Sequence, residues 1–148
     1  MGFSQYKMAK HAGFIYRFVA FIIDTVILNV VLIPLNYTFG FNIWTVNVFA
    51  RDMWTNIGLS ALVGIIVSWL YFAYLESSEY QGTIGKIILK LKVTDEGGRK
   101  INFAKATVRH FSKILSSLIL GIGYLMIAFT KKKQGLHDII AKTLVVRK

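Results

Sequence analysis

Three apolar blocks of about 20 residues each constrain this chain more than any other feature of its sequence. They cover residues 14–35, 57–75 and 111–129, and three formally charged residues interrupt them: Arg17, Asp24 and Lys113. An α-helix needs about 20 apolar residues to cross the ~30 Å hydrocarbon core of a bilayer. The sequence therefore predicts an integral membrane protein. It contains no cysteine, which excludes disulfides and thiol catalysis.

The distribution of basic residues predicts an orientation in the membrane. Residues 36–56 contain one basic residue, whereas residues 76–110 contain seven. Short loops rich in lysine and arginine stay in the cytoplasm. We therefore expect the N-terminus and residues 76–110 inside and residues 36–56 outside. The first block lacks a small-residue cleavage site, so we expect a retained span and not a signal peptide.

The third block leaves two topologies open. If residues 111–129 cross the membrane, the six basic residues of the tail lie outside, against the charge rule. Gly121 and Gly123 lie near the middle of the block, and glycine weakens a helix and permits a sharp turn. A re-entrant helical hairpin built on these glycines would return the tail to the cytoplasm. The alternative is a third full span in which the glycines are merely tolerated.

The fold class expected is an all-α membrane protein with a small cytoplasmic strand pair. Residues 87–95 and 143–148 are β-branched or alternating, which is typical of short strands. If they pair, both must lie on one side of the membrane, and this favours the hairpin. The chain is expected to form one domain over residues 1–148, without internal repeats.

Asp24 is the residue of the first block that most needs a partner. A carboxylate at this depth is costly in a bilayer, so we expect it to face the protein interior. Arg17 shares its helix face but leans toward the cytoplasmic headgroups, where it can snorkel. Lys113 is the first candidate counter-ion and Arg109 the second. In the alternative reading Lys113 itself snorkels and forms no pair with Asp24.

The second block carries small residues four positions apart, Ser60, Gly64 and Ser68. Such a stripe allows another helix to approach closely. We interpret it as a packing surface for the first span or for a copy in a neighbouring subunit, and a solute pathway as the alternative. A homo-oligomer or a membrane-protein partner is expected on these grounds.

Several familiar binding signatures do not apply to this chain. GTIGK at 82–86 lacks the spacing and the final Ser or Thr of a phosphate-binding loop, and His137 with Asp138 is too little for a metal site. We expect no cofactor and no catalytic site. The basic residues flank membrane segments, so anionic lipid headgroups explain them better than nucleic acid does.

A set of motifs resembles a known family. Asp24 follows Arg17 by seven positions, the inner segment reads QGTIGKIILKLKVTDEGG, and the C-terminal region reads GIGYLMIAFTKKKQGLHDIIAKTLVV. Together they resemble the RDD family of small bacterial membrane proteins, named for one arginine and two aspartates. Arg17 and Asp24 match the first two letters, and Asp138 is favoured over Asp95 for the third. The resemblance covers roughly residues 13–146.

The resemblance implies a multi-pass protein of the bacterial cytoplasmic membrane and leaves two functions open. One is a non-enzymatic membrane module, in an accessory, assembly or immunity-like role, whose Arg/Asp core fixes its fold. The other is an oligomeric cation/proton antiporter, as some members of the family are described, in which Asp24 binds a proton and a cation alternately. The objection to the second is size, because two or three spans do not easily build an alternating-access path.

Overall fold

The fold, described by a computed structural model over residues 10–38, 53–118 and 122–147, is mostly helical. In chain order the elements are α1 (Phe14–Thr38), α2 (Met53–Ser77), α3 (Ile84–Ile88), β1 (Leu91–Asp95), α4 (Phe103–Leu118), α5 (Ile122–Phe129), α6 (Leu136–Ile140) and β2 (Thr143–Arg147). The two long helices come first, and the shorter elements form a lobe that packs against them.

Helices α1 and α2 have the length and composition of membrane spans. Each has 25 residues, or about 37 Å at 1.5 Å per residue. Their apolar stretches, Phe14–Leu35 and Gly58–Ser77, are long enough to cross a bilayer, and only 11% and 6% of the respective windows are buried in the chain. A core helix of a soluble protein would be mostly buried. The two predicted spans are thus confirmed as candidate membrane helices.

Helix α4 is amphipathic with its apolar side outward. Its exposed large apolar residues are Phe103, Val108, Phe111, Ile114 and Leu115, whereas its buried residues include Arg109, Ser112 and Ser116. Trp69 of α2 packs beside it and donates a hydrogen bond from Nε1 to Thr107 Oγ1 over 3.1 Å. In water this arrangement would be costly, because polar groups are buried and large apolar groups exposed. It is the arrangement expected of a helix in contact with lipid.

The third hydrophobic block folds back on itself. Helix α4 ends at Leu118 and α5 begins at Ile122, and the Tyr124 hydroxyl donates to the Lys113 carbonyl over 3.1 Å. Eleven residues of straight helix would separate these positions by about 16 Å, so the block is a helical hairpin and not one continuous helix. A Cβ on Gly123 would lie 2.8 Å from Ser116 Cβ, which explains the glycine. Gly121 lies outside the described residues.

The two predicted strands pair, but the first is shorter than the predicted 87–95: Ile87 and Ile88 belong to α3, and β1 begins at Leu91, after the turn at Lys90 with its positive φ. Strands β1 and β2 are antiparallel, with Val93 opposite Val145. The segment before α1 extends the sheet: Ala12 donates from its backbone to the Val145 carbonyl over 2.9 Å. Val93 and Val145 are fully buried, together with Leu91 and Ile101. This small core anchors the start of α1 to the C-terminal end of the chain.

The structure contains an internal repeat, so the expectation of none was wrong. We name the repeats corner 1 (residues 81–95) and corner 2 (residues 133–147). Each begins with a residue of positive φ, Gln81 or Lys133, and carries a lysine of positive φ, Lys90 or Lys142, between a five-residue helix and a five-residue strand. The backbone hydrogen bonds recur in step, for instance Leu89 N to Gly85 O and Ala141 N to His137 O, each 3.3 Å.

The repeat implies a local twofold axis. Val93 and Val145 occupy equivalent positions in the two corners and are also opposite each other in the sheet. A twofold axis between them therefore relates β1 to β2 and, because the backbone path is the same, α3 to α6. The sequences have diverged apart from Ile-Ile-x-Lys at 87–90 and 139–142 and the equivalent valines Val93 and Val145. Shared backbone conformation with little shared side-chain identity is what hid the repeat.

Candidate functional site

The interior of the lobe contains charged side chains, whereas the interior of a soluble protein is mostly apolar. Six ionisable residues from five segments form an ionic cluster: Arg17, Glu76, Lys86, Arg109, Lys113 and Asp138. All but Lys113 are at most 9% exposed. A buried charge is tolerable only with close partners of opposite sign and satisfied hydrogen bonds. The geometry of these partners defines the candidate site.

Asp138 joins two arginines from different helices. Arg17 of α1 donates to Oδ2, and Arg109 of α4 donates to Oδ1 over 2.8 Å. The backbone N–H of Gly135 completes the shell over 3.2 Å. Burial alone would raise the pKa of Asp138, but the charges of Arg109 and Arg17 outweigh burial and hold it below its usual value. Asp138 is therefore ionised and fixed in place.

The position of Arg17 corrects the sequence prediction. Arg17 was expected at the cytoplasmic headgroups, yet it is 9% exposed and bonds inward to Asp138, to the Lys133 carbonyl and to the Ala12 carbonyl. The reason is that corner 2 folds back over the first turn of α1 and covers it. Asp95 plays a different part, since its Oδ1 accepts from the backbone of Gly97 and Arg99 in a turn. The partner of Arg17 is thus Asp138 and not Asp95.

Glu76, at the end of α2, is the second anion of the ionic cluster. It accepts from Lys86 Nζ and from Arg109 Nη1 over 2.5 Å, and Lys113 Nζ lies 3.7 Å from Oε1. Desolvation lowers the pKa of Lys86, and the Glu76 charge offsets this in part. Sequence reasoning missed both Glu76 and Lys86. The signal that could have identified Glu76 was its position directly after the second apolar block.

Asp24 lies in a separate pocket, which we call the Asp24 site (Asp24, Tyr71, Thr83 and Gly85). Its carboxylate accepts from the Tyr71 hydroxyl over 2.8 Å, the Thr83 hydroxyl over 2.5 Å and the Gly85 backbone N–H over 2.8 Å. Asp24 is 1% exposed, which confirms that it faces the interior. Among the described residues it forms no salt bridge.

The predicted partners of Asp24, Lys113 and Arg109, are therefore wrong. Corner 1 places α3 against α1, so the start of α3 supplies the hydrogen bonds that Asp24 needs. The approach is close: a Cβ on Gly85 would lie 2.3 Å from the Ala20 carbonyl oxygen and 3.0 Å from Asp24 Cγ. Lys113 instead sits near Glu76, with Nζ 4.1 Å from the centre of the Phe72 ring.

His137 adjoins the ionic cluster without carrying charge. Its Nε2 is 3.5 Å from Asp138 Oδ1 and its Nδ1 is 3.5 Å from the Ser116 hydroxyl. Burial lowers its pKa to about 3, so the ring is neutral at neutral pH. In the described ranges no group of three or more His, Asp and Glu side chains is placed to hold a metal ion.

Within the described residues, Gly64 at the centre of the small-residue stripe of α2 does not contact α1. A Cβ on Gly64 would have no atom within 4 Å among the described residues, and the Ser68 hydroxyl bonds within its own helix to the Ile65 carbonyl over 3.0 Å. Packing of Ser60, Gly64 and Ser68 against a neighbouring subunit stays a prediction.

Comparison with known proteins agrees with this architecture. The chain is 40% identical over 152 residues to "Uncharacterized protein YxaI" of Bacillus subtilis (strain 168), covering 95% of this chain and 100% of that protein. It is 32% identical over 141 residues to "Uncharacterized membrane protein YteJ" of the same organism, covering 92% and 80%. No solved structure matches the chain significantly.

The sequence model of the RDD family matches residues 11–142 of this chain. This range contains Arg17, Asp24 and Asp138 and every element from α1 to α6. The chain is a membrane protein of the RDD family.

Proposed function

We propose that this protein is a non-enzymatic membrane module, in an accessory, assembly or immunity-like role, whose buried charges hold its segments in one arrangement. It lies in the bacterial cytoplasmic membrane with α1 and α2 as spans and α4–α5 as a re-entrant hairpin. The N-terminus, the two corners and the C-terminus are cytoplasmic. Its outward apolar faces contact lipid or a membrane-protein partner, including a second copy of the chain.

The observation that carries the proposal is the way the carboxylates link the segments. Asp138 joins α1 to α4 through Arg17 and Arg109. Glu76 joins α2 to α3 and α4 through Lys86 and Arg109. Each carboxylate is held by at least two donors from other elements. A carrier must exchange the partners of its carboxylate, whereas breaking these pairs would leave buried charges uncompensated.

A second function, cation/proton antiport by an oligomer, is supported by one specific feature. Asp24 is bound by hydroxyl and amide donors and forms no salt bridge in the described part of the chain. If the hydroxyls of Tyr71 and Thr83 rotate, their oxygens and the carboxylate together offer the oxygen ligands that hard cations prefer. Asp24 would then bind a proton and a cation alternately.

Reconstitution of the full chain separates the two functions. We would compare pH- and sodium-driven proton flux in proteoliposomes of wild type and Asp24→Asn, and the thermal unfolding midpoints of the same preparations. The module predicts flux equal to empty liposomes for both and a lower midpoint for Asp24→Asn. Wild-type flux that Asp24→Asn abolishes without lowering the midpoint would instead establish antiport.

A further inference from the structure

The two corners expose matching apolar pairs. Ile87 and Ile88 of α3 are 40% and 59% exposed, and Ile139 and Ile140 of α6 are 43% and 42% exposed. The local twofold axis at Val93 and Val145 keeps both pairs on one side of the sheet. Each corner also follows a helix with an apolar exterior, α2 or α5. Both isoleucine pairs are thus placed where the chain leaves the membrane.

Each corner continues from its isoleucine pair into a lysine with unusual backbone geometry. Lys90 has φ 56° and Lys142 has φ 51°, and both side chains are exposed. Glycine adopts positive φ at less cost than lysine does. A lysine at this point in both repeats therefore indicates a use for the charged side chain next to the apolar pair.

Further basic groups surround each lysine. At corner 1 an open groove of about 560 Å³ has lining that includes Tyr80, Ile87, Lys90 and Lys92, and the acidic Glu79. Glu79 is paired with Lys100, so the groove keeps the positive charge of Lys90 and Lys92. At corner 2 the exposed residue Lys131 precedes the repeat, and the adjoining Lys132 is paired with Glu96. Both corners thus combine apolar surface with cationic groups.

We propose that the two corners are a matched pair of docking sites for anionic phospholipid headgroups. The isoleucine pairs insert at the boundary between headgroups and acyl chains, and Lys90 and Lys142 lie against the lipid phosphates. A basic side chain near an anionic membrane surface is attracted to it, and the apolar pairs add burial. The inference rests on the membrane placement proposed above and adds a lipid class and the residues that select it.

The depth of each corner is measured with fluorophores attached to single cysteines in this cysteine-free chain. We would label Ile88→Cys and Ile140→Cys, with Leu62→Cys in α2 as the span control. In full-chain proteoliposomes, lipids spin-labelled near the headgroup should quench residues 88 and 140 strongly and to a similar degree. Lipids labelled deep in the acyl chain should quench residue 62.

The result for residue 62 separates a failure of the docking proposal from a failure of the membrane placement. If residue 62 is quenched by the deep label and headgroup-labelled lipids leave residues 88 and 140 unquenched, the corners do not touch the membrane and the docking proposal is overturned. If residue 62 is not quenched either, the membrane placement itself is wrong, and the docking proposal is overturned with it.

Lipid selectivity is measured by thermal unfolding in a neutral detergent. Added phosphatidylglycerol should raise the unfolding midpoint of the wild type by mass action, and phosphatidylcholine should not. Lys90→Gln with Lys142→Gln should lose at least half of the shift, whereas Lys90→Arg with Lys142→Arg, and the control Lys105→Gln, should keep it. An equal shift with phosphatidylcholine or with inorganic phosphate, or a full shift in the double glutamine variant, would overturn the proposal.

Discussion

Arg17 and Asp138 are 121 positions apart in the chain and form an ion pair in which the Asp138 side chain has no exposed surface. Arg17 belongs to the first membrane helix and Asp138 to corner 2. The pair therefore closes almost the whole chain on itself and fixes the C-terminal lobe to α1. Arg109, on the opposite side of the Asp138 carboxylate, extends the connection to α4.

Removal of the Asp138 charge should be strongly destabilising. Asp138→Asn leaves Arg17 and Arg109 facing a neutral amide in a buried setting, and breaking a buried pair from one side costs about 3–5 kcal/mol. Thermal unfolding in detergent should show a large drop in the midpoint. The matched control is Glu96→Gln, whose partner Lys132 is exposed, and it should change the midpoint little. Equal effects from the two variants would contradict the structural role of Asp138.

Replacement of Gly85 and of Gly64 by alanine should have opposite effects on stability. Gly85→Ala places a Cβ 2.3 Å from the Ala20 carbonyl, and overpacking of this kind costs about 1–3 kcal/mol. Gly64→Ala meets no described atom and should be neutral or stabilising, because alanine favours the helix by about 1 kcal/mol. Unfolding midpoints of the two variants check this. If Gly64→Ala leaves the midpoint unchanged but the bulkier Gly64→Leu lowers it, a neighbouring subunit covers the stripe.

Acid should destabilise the folded state through His137. The unfolded histidine has a pKa of about 6.5, and burial lowers the folded pKa to about 3. Between these values the unfolded chain binds a proton that the folded chain does not, so stability falls as pH falls. His110, with a folded pKa of about 4 because of burial, acts in the same direction.

The contribution of His137 is isolated by comparing how steeply the unfolding midpoint falls with pH in the wild type and in His137→Gln. Unfolding midpoints from pH 7 to 4.5 should decline less steeply in His137→Gln than in the wild type, with a residual slope from His110. Asp138 does not contribute in this window, because its stabilisation is present above its unfolded pKa and is lost only at lower pH. Parallel slopes in both proteins would show that folding does not lower the pKa of His137.

The topology should place both ends of the chain in the cytoplasm. Single cysteines at Lys10 and Arg147, which lie together at the sheet through the Arg147 N to Lys10 O bond of 2.9 Å, should resist an impermeant reagent in intact cells. Thr45→Cys, in the segment expected outside, should be labelled. Labelling at Arg147 from outside would contradict the re-entrant hairpin.

The large features were predictable because they depend on local composition. The apolar blocks at 14–35 and 57–75 gave the long helices, the glycine at 123 indicated the fold-back, and β-branched residues gave the strand pair. Each signal lies within about 20 consecutive residues. The repeat escaped because it resides in backbone conformation at positions such as Gln81 and Lys133, which the side-chain identities do not reveal.

The partners in the site were less predictable because they depend on tertiary placement. Asp24 was expected to find a lysine, but α3 brings hydroxyl and backbone donors to it. Glu76 was missed because it lies just after a span and belongs to no motif, yet three cations surround it. Charge alone suggested which residues need partners, whereas the fold of the corners decides which partners they have.

The central claim is that buried ion pairs hold the membrane helices and the lobe together, and a double-mutant cycle on Arg17 and Asp138 tests it most directly. The free energy of unfolding would be measured for Arg17→Met, Asp138→Asn and the double variant. Because both residues are buried and in contact, the losses should be non-additive, with a coupling energy of about 1–3 kcal/mol. The double variant should then be more stable than the sum of the single losses predicts. Strictly additive losses would contradict the claim.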